Sequence, residues 1–485
     1  MSELSQLSPQ PLWDIFAKIC SIPHPSYHEE QLAAHVIAWA TEQGFWNERD
    51  QVGNILIRKP ATPGFENRKP VALQAHLDMV PQKNNDTVHD FTKDPIQPWI
   101  DGEWVKARGT TLGADNGIGM ASALAVLADN SLEHGPLEVL LTMTEETGMV
   151  GAFGLKAGWL QADILINTDS EEEGEIYMGC AGGIDFTSTL PLTREAVPAG
   201  YQTVKLTLKG LKGGHSGCDI HVGLGNANKL LVRFLFSHAA DLDLRLVDFS
   251  GGTLRNAIPR EAFATLAVPV ASIDKLKSLA ASYLLTLQNE LGLKEKNIAV
   301  VVEDLAHAEQ ALSNTSRDTF IALLNSTPNG VIRQSDVMKG VVETSLNVGV
   351  VTFEGNEAKI NSLVRSLIDS GKEYVVEMLT ALGQLAGAKT LAKGSYPGWQ
   401  PDASSPVMAL VRETYEKLFD KTPNIQVIHA GLECGLFKEP YPQMDMVSIG
   451  PTITGPHSPD EQVHIGSVGL YWQLLTALLK AIPVK

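Results

Sequence analysis

Basic residues are in short supply. Lys and Arg total 38 against 56 Asp and Glu, giving a net charge of −18 over 485 residues. With no basic surplus to displace counterions, nucleic acid and anionic membrane are excluded as expected partners. Cysteine is scarce too: Cys20, Cys180, Cys218 and Cys434 are the full set. None forms a C-x-x-C pair, which argues against a zinc ribbon or a thioredoxin-like motif and points to a reducing compartment. No apolar run approaches a membrane span. The opening MSELSQLSPQPLWDIFAKIC carries acid early and lacks a basic segment and a long apolar core, so it is not read as a signal peptide. The expected location is the cytoplasm. No P-loop exists, Gly223-Leu224-Gly225 is a weak glycine pattern, and Ser216 lacks G-x-S-x-G spacing. Nucleotide binding and a serine nucleophile therefore have no support.

What is present fits a globular enzyme of two or three domains: 44% hydrophobic and 19% charged residues. Residues 11–43 read as helical with a break at Ile22-Pro23-His24-Pro25. Strands are predicted over residues 52–58, 70–80 and 162–167 and through the apolar run Val139-Leu140-Leu141, and a helix opens at Gly113-Ala114-Asp115-Asn116-Gly117. The stretch with Trp99 and Trp104 reads as a polar loop whose tryptophans pack. Strands alternating with helices, with polar chemistry at strand ends, predict an α/β sheet with a site along one edge. Near Gly182-Gly183 the pattern changes. Residues 202–208 and 262–268 alternate as half-exposed antiparallel strands do, with helices at 226–238 and 273–291 between them. The rhythm recurs at 341–353, 358–365 and 373–385. After Tyr396-Pro397-Gly398-Trp399 the α/β style resumes. The expected organisation is 1–182 and 398–485 as one α/β catalytic domain, and 183–397 as an inserted α+β domain with an antiparallel sheet and helices.

The stretch that organises the chain is LEVLLTMTEETG, residues 137–148. Its apolar run stops at Glu145-Glu146, and two adjacent carboxylates beside a buried strand repel unless a cation lies near. His76, Asp115, Asp169 and His457 also lie at strand ends, helix starts or loops. With Glu146 they make two imidazoles and three carboxylates, enough for two divalent ions if Asp115 bridges. Mixed N/O ligation suits catalytic zinc, with cobalt or manganese as substitutes. Asp78, two residues past His76, suits the other nitrogen of that imidazole. Glu145 is left as general base. His24, His28, His89, His134 and His238 read as cap or turn residues, and Cys180 and Cys434 as small buried ones.

AHLDMV, TTLGADNGIGMA, LTMTEETG, LINTDSEEEGEI and GPHSPDE together resemble the M20 metallopeptidase family, and the likeness covers nearly the full length. The resemblance implies His76 and Asp169 on one zinc, Glu146 and His457 on the other, and Asp115 on both. It implies two zinc ions per subunit and a cis bond between Asp115 and Asn116. It makes the insertion a lid that also serves in dimerisation. There His215 in GGHSG polarises the scissile carbonyl, while Asn256, Arg365 and the backbone of Gly431 hold substrate. The activity implied is hydrolysis of unblocked dipeptides, Xaa-His types included, by a homodimer. A related alternative is an acylamino-acid amidohydrolase on the same scaffold, and a more distant one is a binding protein that has lost its chemistry.

Overall fold

Four short apolar runs form the middle of the first sheet. Val71–His76, Leu137–Thr142, Ile164–Asn167 and Asp445–Ser448 run parallel to one another, and every residue of the first three is buried. Burial on both faces is why these runs are continuously apolar rather than alternating. The structure is a computed structural model that describes residues 3–83 and 87–485. Residues 1–2, the start of the stretch read against a signal peptide, lie outside it, as do residues 84–86. The full order of this eight-stranded sheet is Trp46–Arg49, Ile55–Lys59, Leu137–Thr142, Val71–His76, Ile164–Asn167, Asp445–Ser448, Glu175–Cys180, Asn424–Ile428. Antiparallel pairs flank the parallel centre.

Helices Gln10–Cys20, Ala114–Ala128, Pro406–Phe419 and Ile465–Ala481 share one core with the sheet, through Trp13, Phe16, Ile118, Val411 and Leu475. Helix Ala114–Ala128 is buried without a break from Asn116 to Leu127, so it is apolar all round rather than striped. Its small residues permit close approach. A Cβ at Gly119 would lie 2.5 Å from the Thr168 carbonyl oxygen. The tightness matters because Asp115 sits at the start of this helix and Asp169 follows Thr168.

The polar-loop reading of Trp99 and Trp104 is corrected. Pro98–Asp101 and Trp104–Ala107 form an antiparallel hairpin, and Gln462–His464 adds to it. The turn is Gly102-Glu103 with Gly102 at φ 62°, the left-handed geometry that two-residue hairpins need. The tryptophans pack, as expected: Trp104 edges onto His464 and Arg108 stacks over Trp99.

Two compact units divide the chain. One is Met1–Cys180, Trp399–Val427 and Leu432–Lys485; the other is Ala181–Gly398 with Ile428–Gly431. The second is built on one antiparallel sheet in the order Ala299–Asp304, Tyr201–Lys209, Ala262–Pro269, Arg245–Gly251, Val342–Glu354, Glu357–Ser366, Gly182–Pro191, Lys389–Tyr396, with Gly330–Gln334 also on Val342–Glu354. Helices Ala227–His238, Ile273–Leu291 and Asn314–Ser326 fill its core through Leu231, Leu276 and Phe320. The fold is thus an α/β unit with an α+β unit inserted in it.

Candidate metal centre

The parallel strands end where the chemistry begins. His76 closes its strand. Thr144, two residues past the end of Leu137–Thr142, takes φ 51°, a left-handed turn that costs on the order of 1 kcal/mol in a residue other than glycine. Glu29 holds it there, accepting from the Thr144 amide at 2.9 Å and its hydroxyl at 2.6 Å. Glu145 and Glu146 follow. His457 also has positive φ, 60°, in the loop between Ile453–Thr454 and Gln462–His464.

These segments converge on Asp115. His76 Nε2 lies 3.1 Å from Asp115 Oδ1 and 3.4 Å from Asp169 Oδ1. His457 Nε2 lies 3.2 Å from Asp115 Oδ2 and 3.0 Å from Glu146 Oε2. Each oxygen of Asp115 therefore faces a different imidazole, and each of those Nε2 atoms has one further carboxylate. The Asp115–Asn116 peptide is cis, as the resemblance implied. One side is closed and the other open: the His76 side chain is 1% exposed and that of His457 is 53% exposed.

Three carboxylates against two imidazoles leave negative charge in excess. Glu146 Oε1 is buried without a hydrogen-bond partner, which is costly for an anion unless a cation meets it. Burial also pushes the Glu146 carboxyl up to about 7, the Asp115 charge adding to it and His457 opposing. Burial lifts Asp169 to about 6, against the pull of His76. Burial works against the Asp115 charge as well, but His457 and His76 outweigh it and hold that carboxylate well below its usual range. His457 is raised to about 11 by Asp115 and Glu146. In this state the protonated imidazoles are the site's positive charges. Divalent cations in their place would relieve the same repulsion, and neutral imidazoles would then be ligands. The donor set fits such ions: His76, Asp115 and Glu146 each offer an atom within 4.8 Å of the others.

Asp78 ties the centre together. Its Oδ1 is 3.2 Å from His76 Nδ1. It accepts from the amides of Glu145 and Glu146 at 2.8 and 3.2 Å and from the Ser26 hydroxyl at 2.7 Å. Burial raises Glu145 well above the ordinary carboxylate range, reinforced by Glu146, Asp169 and Glu433 and opposed by His76.

Several supporting residues escaped the sequence reading. Glu461 accepts from the amides of Leu112 and Gly113 at 2.7 and 3.0 Å and of Asp115 at 3.2 Å. Asn116 accepts from the His76 amide at 3.3 Å and donates to the Thr168 carbonyl at 2.8 Å. Glu171 is a further acid, lifted to about 9 by burial and by the charges of Asp115 and Asp169. An acid in the SPDEQ run and a second acid after Asp169 were the available signals, but contact with distant loops has no local signature.

The remaining candidates group within the second unit. His215 lies on a two-residue ribbon, Gly214–His215 against Ala257–Ile258. Its Nε2 is 3.4 Å from Arg365 Nη2. Arg365 is buried and donates from Nη1 to the Tyr396 hydroxyl at 3.0 Å. Asn256 is exposed and joins through its carbonyl, which accepts from the Ser216 amide at 2.9 Å. Gly431 ends the Ile428–Gly431 segment, in which His429 Nε2 lies 2.8 Å from the Ser345 hydroxyl. Tyr396, Ser345 and His429 were not singled out from sequence.

An α/β sheet that gathers acids and imidazoles at the carboxyl ends of its parallel strands has the make-up of a metal-dependent hydrolase. Residues 72–481 match the family model described as Peptidase family M20/M25/M40, and the chain belongs to that family. It is 79% identical over 485 residues, all of both chains, to the cytosol non-specific dipeptidase of Escherichia coli (strain K12). Among solved structures it is similar to the aminoacylhistidine dipeptidase from Vibrio alginolyticus, with 64% identity, TM-score 0.90, and 100% of this chain and 99% of that one covered. A tripeptidase from Staphylococcus aureus shares the fold at 14% identity and TM-score 0.62, over 98% of this chain and 99% of its own.

Proposed function

We propose that this protein is a cytoplasmic di-zinc dipeptidase that hydrolyses unblocked dipeptides of broad sequence, Xaa-His types included, as a homodimer. The observation that carries the reading is Asp115, whose two oxygens face the Nε2 atoms of two imidazoles, each Nε2 met by one more carboxylate. The names of the relatives at 79% and 64% identity support the substrate class. His76 and Asp169 would hold one ion, His457 and Glu146 the other, and Asp115 both. Cobalt or manganese would substitute. When bound, such ions supply Lewis acidity and make water a nucleophile near neutral pH.

The chain's own residues do the rest. Asp78 fixes the ring of His76 and, through two amides, the direction of Glu145. Glu145 takes a proton from the attacking water as the water oxygen bonds to the scissile carbon. As the carbon–nitrogen bond breaks, Glu145 returns a proton to the leaving amine. A carboxyl that burial raises above its ordinary range suits both transfers. His215 donates to the carbonyl oxygen as charge develops there. Arg365, held by Tyr396, receives the free α-carboxylate, with Asn256 and the Gly431 backbone alongside. In this reading residues 1–182 and 398–485 form the catalytic domain and residues 183–397 the lid and dimerisation domain.

The test offers a dipeptide panel and N-acetylated amino acids to purified protein, metal-free and then reloaded with zinc, cobalt or manganese. Dipeptide hydrolysis lost with the metal and restored by it is the expected result. Full activity in verified metal-free protein, or turnover confined to acylated amino acids, overturns the reading.

A further inference from the structure

Beneath the metal centre the sheet carries a row of polar side chains where apolar ones would be expected. Gln74, Asn167 and Ser448 face one another in register across three adjacent parallel strands. Gln74 stands two residues before His76 and Asn167 two before Asp169. Thr142 ends the next strand, three residues before Glu145. Glu433, on the short helix Glu433–Phe437, closes the row. All five are 0% exposed.

Their hydrogen bonds run in one continuous chain. Thr142 Oγ1 and Gln74 Nε2 donate to Glu433 Oε2 at 2.7 and 2.6 Å. Asn167 Nδ2 donates to Gln74 Oε1 at 2.5 Å. Asn167 Oδ1 accepts from the Ser448 hydroxyl and, at 3.3 Å, from the Asp169 amide. Ser448 Oγ meets Ser170 Oγ at 2.6 Å. Each amide has its donor and acceptor ends assigned by its neighbours, so neither can flip without breaking the chain. Apolar residues of similar size would fill this layer at less cost in desolvation. What the polar row adds is fixed relative position for the strand ends that carry His76, Asp169 and the Glu145–Glu146 turn.

We infer that the ladder Thr142–Glu433–Gln74–Asn167–Ser448 is a positioning device for the metal ligands, with Glu433 as the positioning residue that closes it. The inference rests on the proposal that His76, Asp169 and Glu146 bind metal. Glu433 works through its neighbours, as an acceptor for two donors. Its Oε1 has no hydrogen-bond partner, and burial, with the Asp169 charge adding, lifts its carboxyl to about 8. A primary amide at this position would keep the acceptor that the ladder uses.

The test measures zinc and cobalt dissociation constants by competition with a chromophoric chelator, and the visible spectrum of the cobalt-loaded protein. The proteins are wild type, Glu433→Leu, Glu433→Gln and Thr142→Val. Glu433→Leu should weaken metal binding about 10–100-fold, the usual effect of removing an outer support, and shift the cobalt band. Glu433→Gln should restore both. Thr142→Val removes one donor at nearly constant volume and should weaken binding in the same direction. It also decides the matter if Glu433→Leu does not fold. Folded variants that bind metal as wild type does, whatever their melting temperature, overturn the ladder's role. A Gln variant as weak as the Leu variant overturns it too. Wild-type protein that binds no metal overturns the proposed centre itself, and the ladder's role with it.

Discussion

Glu145 and Glu146 are adjacent in sequence and differ in what they touch. Glu146 faces His457 and Asp115, whereas Glu145 shares its burial with several like charges. Their substitutions should therefore fail differently. Glu145→Gln should keep its metal and lose roughly 10²–10⁴-fold in kcat, the scale of general acid–base catalysis. Glu146→Gln should lose metal affinity by about 10–100-fold. Metal analysis beside steady-state kinetics separates the two, and the reverse pattern would exchange the proposed roles. Arg365 permits an equally direct test. A buried guanidinium held by Tyr396 suits a free carboxylate, so Arg365→Met should cost about 30-fold or more in kcat/KM on dipeptides. C-terminally amidated dipeptides should be poor substrates of the wild type. Equal rates on free and amidated dipeptides would remove Arg365 from carboxylate binding.

At the scale of elements, short loops hold the centre, and two of them are pinned by acids from elsewhere in the chain. Glu461 binds three amides of the segment leading into helix Ala114–Ala128. Glu461→Ala would leave buried donors unmet and free the turn at Gly113, whose φ is 71°. Metal occupancy should fall about 10–100-fold, with most helical circular dichroism retained; undiminished occupancy would show that the turn holds itself. In the second unit the segment Ile428–Gly431 places His429 in a buried site. Burial, with the charges of Arg365 and His215, lowers this imidazole from 6.5 to about 3. Between those two values the unfolded chain binds the proton and the folded unit does not. Stability is therefore full above pH 6.5 and declines as pH falls towards 3. His429→Gln should flatten this limb, by a difference on the order of a few kcal/mol in denaturant unfolding compared at pH 7 and pH 4. Parallel pH profiles for both proteins would place no such proton on His429.

For the whole molecule, the proposed reaction needs residues from both units of the chain, Glu145 from one and His215 from the other. His215→Ala should lower kcat while metal content and folding stay intact. In a homodimer that histidine comes either from the same chain or from the partner subunit. Mixing inactive His215→Ala with inactive Glu145→Gln under subunit exchange separates the two. Partial recovery of activity would assign His215 to the partner's reaction, and none in demonstrated mixed dimers would keep it within its own chain. A normal kcat for His215→Ala alone would reject the role. No helix among the described residues is long and apolar enough to cross a membrane.

The sequence by itself determined the α/β class, the change of style near Gly182-Gly183, and the strand ends worth watching. These are local properties: a buried parallel strand must be continuously apolar, so an acid or histidine at its end stands out against it. Val71–His76 and Leu137–Thr142 were legible for that reason, and long motifs tied them to the M20 family. The hairpin through Trp99 and Trp104 was not legible, because four-residue strands carry too little periodicity and only the Gly102 turn marked them. Tertiary structure alone decided that each oxygen of Asp115 faces a different imidazole, that Glu461 grips a loop some 350 residues away in the chain, and that Gln74, Asn167 and Ser448 lie in register. Partners of that kind are set by strand order and packing. A buried glutamine within an apolar strand reads as an anomaly until the neighbouring strands supply its hydrogen bonds.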